Sequence, residues 1–186
     1  GFVPDVPFAL AYLSDGLLDD YLFDMRLVQR FADLNRRAMA REILSTMKLK
    51  DTGRFATVHN YIDIDDMILR KGAVSARSGE RLLIPINMRD GSLICTGKGN
   101  EEWNQSAPHG AGRLMSRTAA IAHAQGRRID RELAEQGIIA RCRSRTGLAE
   151  EQPAAYKDVS QVVEVVHAAG LARKVARLRP LGVIKG

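Results

Sequence analysis

The spacing of apolar residues changes once along this chain, near residue 50, and that change limits the folds open to it. Over residues 19 to 48, Leu22, Met25, Val28, Phe31, Ala32, Ala38, Met39, Ile43 and Met47 recur mostly every third or fourth residue, with Arg26, Arg30, Asp33, Arg36, Arg37 and Arg41 largely between them. This is the period of a helix with one apolar face, and it predicts one buried side. Asp51 and Gly53 then punctuate the chain, and short Val-, Ile- and Leu-rich runs follow at Arg54 to Asn60, Asp66 to Ser75, Arg81 to Ile86 and Ser92 to Thr96. Such runs predict strands. Residues 97 to 112 dissolve into Gly, Asn, Ser and Pro, the chemistry of a loop in which sites commonly lie.

Helical spacing returns at Arg113 to Gln125 and at Ile129 to Leu133. Ile138 to Arg145 alternates apolar and basic residues, as a half-exposed strand does. Pro153 opens a linker, Asp158 can cap a helix through Val162, Val163 and Val166, and Gly170 can stop it. A last strand is expected at Lys174 to Leu178. The order is mixed α+β without regular βαβ alternation, and neither a repeat nor a low-complexity tract interrupts it.

At 186 residues the chain suits one sizeable domain rather than two large ones, so residues 1–186 are read together. No apolar run reaches the roughly 20 residues that cross a bilayer, which argues against a membrane partner. Gly1 to Ala11 lack the basic start of a signal peptide, and Gly1 resembles a cut end. Cys95 and Cys142 show no zinc or redox spacing and read as buried, reduced thiols of a cytoplasmic protein. Lys and Arg number 28 against 22 Asp and Glu, a net charge of +6 that favours polyanions such as nucleic acid.

The densest chemistry is Ser106-Ala107-Pro108-His109-Gly110-Ala111-Gly112-Arg113-Leu114-Met115-Ser116-Arg117. Its glycines let backbone approach a ligand, the following helix start offers free N–H groups, and Arg113 and Arg117 lie one turn apart on one helix face, forming a phosphate cradle. His109 beside them can attack phosphorus or relay a proton. No G-x-x-x-x-G-K-[ST] loop is present. Trp103, in the preceding loop, reads as an anchor, Arg70 and Lys71 as a solvated strand end or an RNA contact, and His123 and His167 as surface or packing residues.

This string resembles the guanylylation motif of the RtcB family of GTP-dependent RNA ligases. So do Val58-His59-Asn60-Tyr61, Arg70-Lys71-Gly72-Ala73-Val74-Ser75-Ala76, Gly97-Lys98-Gly99-Asn100, Pro153-Ala154-Ala155-Tyr156-Lys157-Asp158, Val175 to Val183, and Lys185-Gly186. The resemblance covers nearly the whole chain and matches the C-terminal half of the family. It implies the family's α+β fold, with mixed sheets and helices around a central cleft. It also implies an activity, the joining of RNA 3'-phosphate or 2',3'-cyclic phosphate ends to 5'-hydroxyl ends in splicing or repair, with GTP, two manganese ions and RNA ends such as tRNA halves as partners.

By the same resemblance His109 is the nucleophile that takes GMP, and His59 is a manganese ligand. Ser92, Ala111, Gly112, Tyr156 and Lys185 contact the nucleotide, and Arg113 and Arg117 hold phosphates. Ile86-Asn87-Met88-Arg89 departs from the family's glycine-rich turn. The family's other metal ligands fall in motifs upstream of the matched region. The alternative is a catalytically inactive fragment that only binds GTP or RNA.

Overall fold

The computed structural model describes residues 12–185; the readings made above on Gly1 to Ala11 and on Gly186 lie outside the described residues. The chain runs through α1 (Asp15–Thr46), β1 (Asn60–Asp63), β2 (Ile68–Lys71), β3 (Ala73–Ser75), β4 (Arg81–Asn87), β5 (Gly91–Gly97) and β6 (Ser106–Pro108). It continues with α2 (Arg117–His123), α3 (Ile129–Ala134), β7 (Ile139–Cys142), α4 (Arg145–Glu150), α5 (Val159–Ala168), β8 (Ala172–Leu178) and β9 (Gly182–Lys185). The architecture is α+β, as the sequence order implied. Among the described residues no helix is long and apolar enough to cross a membrane.

The chain divides into two compact units. The smaller holds the described residues up to Arg54 together with Tyr61–Leu69. Here α1 forms where the apolar spacing predicted it, and Asp33 pairs with Arg37 at 2.9 Å across one turn. The expected buried face is not found, because no residue of α1 is buried. Leu22, Met25 and Ala32 are half-covered, whereas Val28, Met39 and Ile43 are exposed and Phe31 retains 70% of its surface. Apolar residues such as Phe23, Leu27 and Leu34 extend the greasy surface around the helix, and one unit of this size has no second layer to cover them.

The larger unit holds Phe55–Asn60 and the residues from Arg70 onward. Its centre is an antiparallel sheet in the order β4-β5-β8, with Leu82 opposite Cys95 and Ile84 opposite Leu93. Strand alternation sends Leu82, Ile84, Ile86, Leu93 and Cys95 to one face, where Val162 and Val166 of α5 pack on them. Asp158 caps α5 as expected, accepting from the Ser160 amide at 2.8 Å. A second cluster gathers Met88, Ala124, Ile129, Leu133, Ile138 and Ala140 under α3 and β7.

Two small pairings place the functional residues. β3 pairs antiparallel with β6, Ala73 facing Pro108, and so delivers His109 beside Gly72. β7 pairs parallel with β9, Cys142 facing Lys185, and so fixes a lysine near the chain end.

Several local expectations fail for identifiable reasons. Residues 54 to 58 form no strand; Thr57 instead uses its hydroxyl to accept from the Leu83 amide at 3.1 Å. The run from Asp66 to Ser75 is broken at Gly72, whose φ of +72° turns the chain. The helix expected from Arg113 begins only at Arg117, where Ser116 caps it by accepting from Ala119. Arg113 is therefore not one turn below Arg117 but bridges to Tyr156 in a β-pair. Ser144 likewise ends the strand after Cys142 by capping α4, which the basic alternation had masked.

Candidate nucleotide cleft

His109 follows β6 and is held by one neighbour from both its backbone and its ring. Its amide donates to the Gly72 carbonyl at 3.4 Å, and its Nδ1 lies 2.6 Å from the same oxygen. A carbonyl can only accept, so Nδ1 carries a hydrogen, and in the neutral ring the lone pair falls on Nε2. Gly72 in turn donates to the His59 carbonyl at 2.8 Å and to Asn60 Oδ1 at 3.2 Å. The His59 ring stacks on His109 with centroids 4.9 Å apart and planes inclined by 15°. A Cβ at Gly72 would sit 3.5 Å from His109 Nδ1, and the left-handed backbone there already excludes most side chains. The next turn is tied to β4, since the Ala111 amide donates to the Pro85 carbonyl at 3.1 Å.

A polar cluster stands elsewhere on the same cleft. The Tyr156 hydroxyl donates to Glu151 at 2.7 Å, Lys185 Nζ donates to the same carboxylate oxygen at 3.0 Å, and Arg113 reaches its other oxygen at 3.3 Å. Arg113 also donates to the Tyr156 hydroxyl, to the Met115 carbonyl and to the Glu150 carbonyl, and its guanidinium lies 5.0 Å from the Tyr156 ring centroid. Most of its donors are thus committed to protein. Arg117 differs: its side chain is 74% exposed, with a single 3.7 Å ion pair to Glu150.

Burial pushes the Glu151 carboxyl up, but the Tyr156 hydroxyl and the Lys185 and Arg113 charges outweigh it and hold Glu151 below its ordinary value. Burial and the adjacent Glu151 charge push the Tyr156 phenol up to about 12. The cluster is therefore set as carboxylate, neutral phenol and two cations.

The residues that the resemblance assigned to the nucleotide, the phosphates and the metal all line one cleft of about 710 Å³: His59, Ser92, His109, Ala111, Gly112, Arg113, Arg117, Tyr156 and Lys185. That volume suits a ligand of nucleotide size. Glu151 also lines it and was missed, as an acidic residue in a charge-mixed stretch carries no motif. Asn87 and Met88 of the departing turn line it too, with Asn87 Oδ1 accepting from the Arg89 and Asp90 amides at 2.9 and 2.8 Å.

Some assignments change. Trp103 is 56% exposed, so less than half of its surface can serve as the expected anchor. Its loop is held instead by Asn100, which donates to the Ala169 carbonyl, and by Arg70, which reaches Ser106 and the Asn104 carbonyl. Arg70 is accordingly 2% exposed rather than solvated, while Lys71 is exposed. His167 is exposed, and His123 contacts Gln152. Both cysteines are free; Cys95 is buried and Cys142 only half-buried.

A manganese site does not follow from these residues alone. Among the described residues no group of three or more His, Cys, Asp or Glu could hold a metal ion. One imidazole leaves a divalent cation mostly in water.

Comparison with known proteins agrees with the residue patterns. The family model described as tRNA-splicing ligase RtcB matches residues 2–186. The chain is 50% identical over 111 residues to the RNA-splicing ligase RtcB of Mycobacterium tuberculosis, covering 60% of this chain and 26% of that protein. It is 33% identical over 219 residues to the tRNA-splicing ligase RtcB of Pyrobaculum aerophilum and 34% over 218 residues to that of Archaeoglobus fulgidus. Both of those alignments cover 99% of this chain and 45% of the relative, so the chain spans less than half the length of these curated relatives.

Proposed function

Because this chain belongs to the RtcB family, we propose that it carries the nucleotide-accepting part of a GTP-dependent RNA ligase. The observation that supports this most is the 2.6 Å contact of His109 Nδ1 with the Gly72 carbonyl, which puts a ring hydrogen on Nδ1 and leaves Nε2 as the nitrogen that can attack. In the proposed reaction Nε2 bonds to the α-phosphorus of GTP. The bond from that phosphorus to its bridging oxygen breaks, and pyrophosphate leaves with the electron pair.

The ring becomes cationic as the new bond forms, and the Gly72 carbonyl at 2.6 Å from Nδ1 stabilises that charge without reorganising. Arg117, the exposed guanidinium of the cleft, holds phosphate oxygens; Arg113 mainly braces Tyr156 and the segment around Glu150. Tyr156 offers its ring to the base or ribose, and Lys185 donates to guanine, having two N–H groups left after Glu151 takes one. Ser92, Ala111 and Gly112 contribute to the wall along the nucleotide. GMP then passes from His109 to an RNA 3'-phosphate, and the 5'-hydroxyl of a second RNA end attacks that activated phosphorus and releases GMP.

His59 would be one ligand of manganese, whose remaining ligands lie outside the described residues, and no step above is routed through the metal. Free Cys95 and Cys142 fit a reducing, cytoplasmic setting. The same ligand shortage favours the second reading, in which this chain by itself binds nucleotide or RNA without chemistry.

The test uses the full-length protein, GTP and manganese with paired RNA ends. Joining of 3'-phosphate to 5'-hydroxyl ends that requires GTP supports the reading. Joining only of 3'-hydroxyl to 5'-phosphate ends, or joining without GTP, would reject it.

A further inference from the structure

Two residues assigned to the nucleotide, Tyr156 and Lys185, and Arg113, which braces one of them, converge on a fourth that no motif marks. Lys185 stands next to the chain end on β9, Tyr156 follows the Pro153–Ala155 turn, and Arg113 precedes α2, so they come from separate parts of the sequence. Glu151 is their common partner, with Tyr156 and Lys185 on one oxygen at 2.7 and 3.0 Å and Arg113 on the other at 3.3 Å. We infer that Glu151 is a positioning residue of the cleft, whose carboxylate seats Lys185 and aligns the Tyr156 ring for the nucleotide.

The argument rests first on Lys185. A long, flexible lysine side chain samples many rotamers unless it is tied down. The pairing of β7 with β9 fixes its backbone, but among the described residues the only side-chain partner recorded for its ammonium is Glu151. The second support is Tyr156. Its hydroxyl donates to Glu151 and accepts from Arg113, while the Arg113 guanidinium lies against the ring, so the ring plane is fixed by hydroxyl contacts and by one occupied face. Glu151 needs no contact with the nucleotide for this role; it acts through the two groups it holds.

The inference rests on the proposed function for its ligand, so the test separates them. Isothermal calorimetry of GTP on the full-length protein is compared for wild type, Glu151→Ala, Glu151→Asp, Lys185→Ala and the Glu151→Ala/Lys185→Ala double variant. Loss of one charge-assisted hydrogen bond predicts weakening of about tenfold in Glu151→Ala, partly restored in Glu151→Asp. In the double variant the Glu151 change should add little to the Lys185 change, because both act through one ammonium.

Alkaline absorbance titration of the nearly isosteric Glu151→Gln protein should show Tyr156 ionising at lower pH than in wild type, a readout independent of any nucleotide. Unchanged affinity in Glu151→Ala, full additivity in the double variant, or an unmoved Tyr156 titration would overturn the positioning role. Should wild-type protein bind GTP yet transfer no GMP to His109, the proposed function fails while the affinity series still decides the role of Glu151.

Discussion

Gly72 shows how much chemistry one backbone position can carry. Its carbonyl accepts from His109 Nδ1, its amide donates to the His59 carbonyl, and its left-handed backbone, with φ of +72°, is one that side chains rarely adopt. Gly72→Ala should cost about 1 kcal/mol or more, because φ of +72° is unfavourable for alanine and relaxing it would shift the carbonyl that holds His109. Denaturant unfolding together with the rate of GMP attachment checks this; a variant as stable and as fast as wild type would contradict it. The polar cluster has a definite pH window. Tyr156 is raised from 10.0 to about 12, so its contribution to stability is complete below pH 10 and drains as pH climbs through about 12. Glu151 is lowered from 4.5, so its contribution is complete above that value and is lost as pH falls through its depressed pKa. The Lys185 and Arg113 contacts should therefore persist across neutral pH and loosen in acid. A nitrogen-15 NMR signal of a labelled Lys185 ammonium that stays unchanged from neutral pH down to acid in which Glu151 is protonated would contradict this.

At the scale of elements, α5 rests on two features that the sequence already displays, the Asp158 cap and the Val162 and Val166 spacing. Asp158→Ala should cost about 1 kcal/mol of stability, the usual worth of such a cap, which urea unfolding would measure. No change would mean that packing against β8 alone sets the helix start. The same two kinds of local signal explain which elements were legible. The helix period gave α1, α3 and α5, and short apolar runs gave β4, β5 and β8. The start of α2 and all of α4 depended on Ser116 and Ser144, where the apolar spacing ran on through the caps. β9 was illegible because Ile184 is exposed and its partner β7 lies some forty residues earlier, a pairing that local pattern does not encode. The site was legible through motif residues, whereas Glu151 matters only through three side chains distant in sequence.

For the whole molecule, the decisive facts are a cleft that gathers the candidate site residues and, among the described residues, an incomplete ligand set for metal. We expect the isolated 186-residue chain to take no stoichiometric GMP from GTP and manganese, since His59 alone cannot fix a cation beside the triphosphate. The exposed apolar surface of α1, Phe23, Leu27 and Phe31 among it, should also make the isolated chain self-associate, which sedimentation velocity would detect. A monodisperse monomer that labels fully would contradict both expectations. The central claim is that His109 is the residue that accepts GMP. It is tested most directly by incubating full-length protein with GTP and manganese and locating the added GMP by tandem mass spectrometry under conditions that preserve phosphorus–nitrogen bonds. The account predicts one GMP on His109 and none in a folded His109→Ala variant; GMP on another residue, or undiminished labelling of that variant, would contradict it.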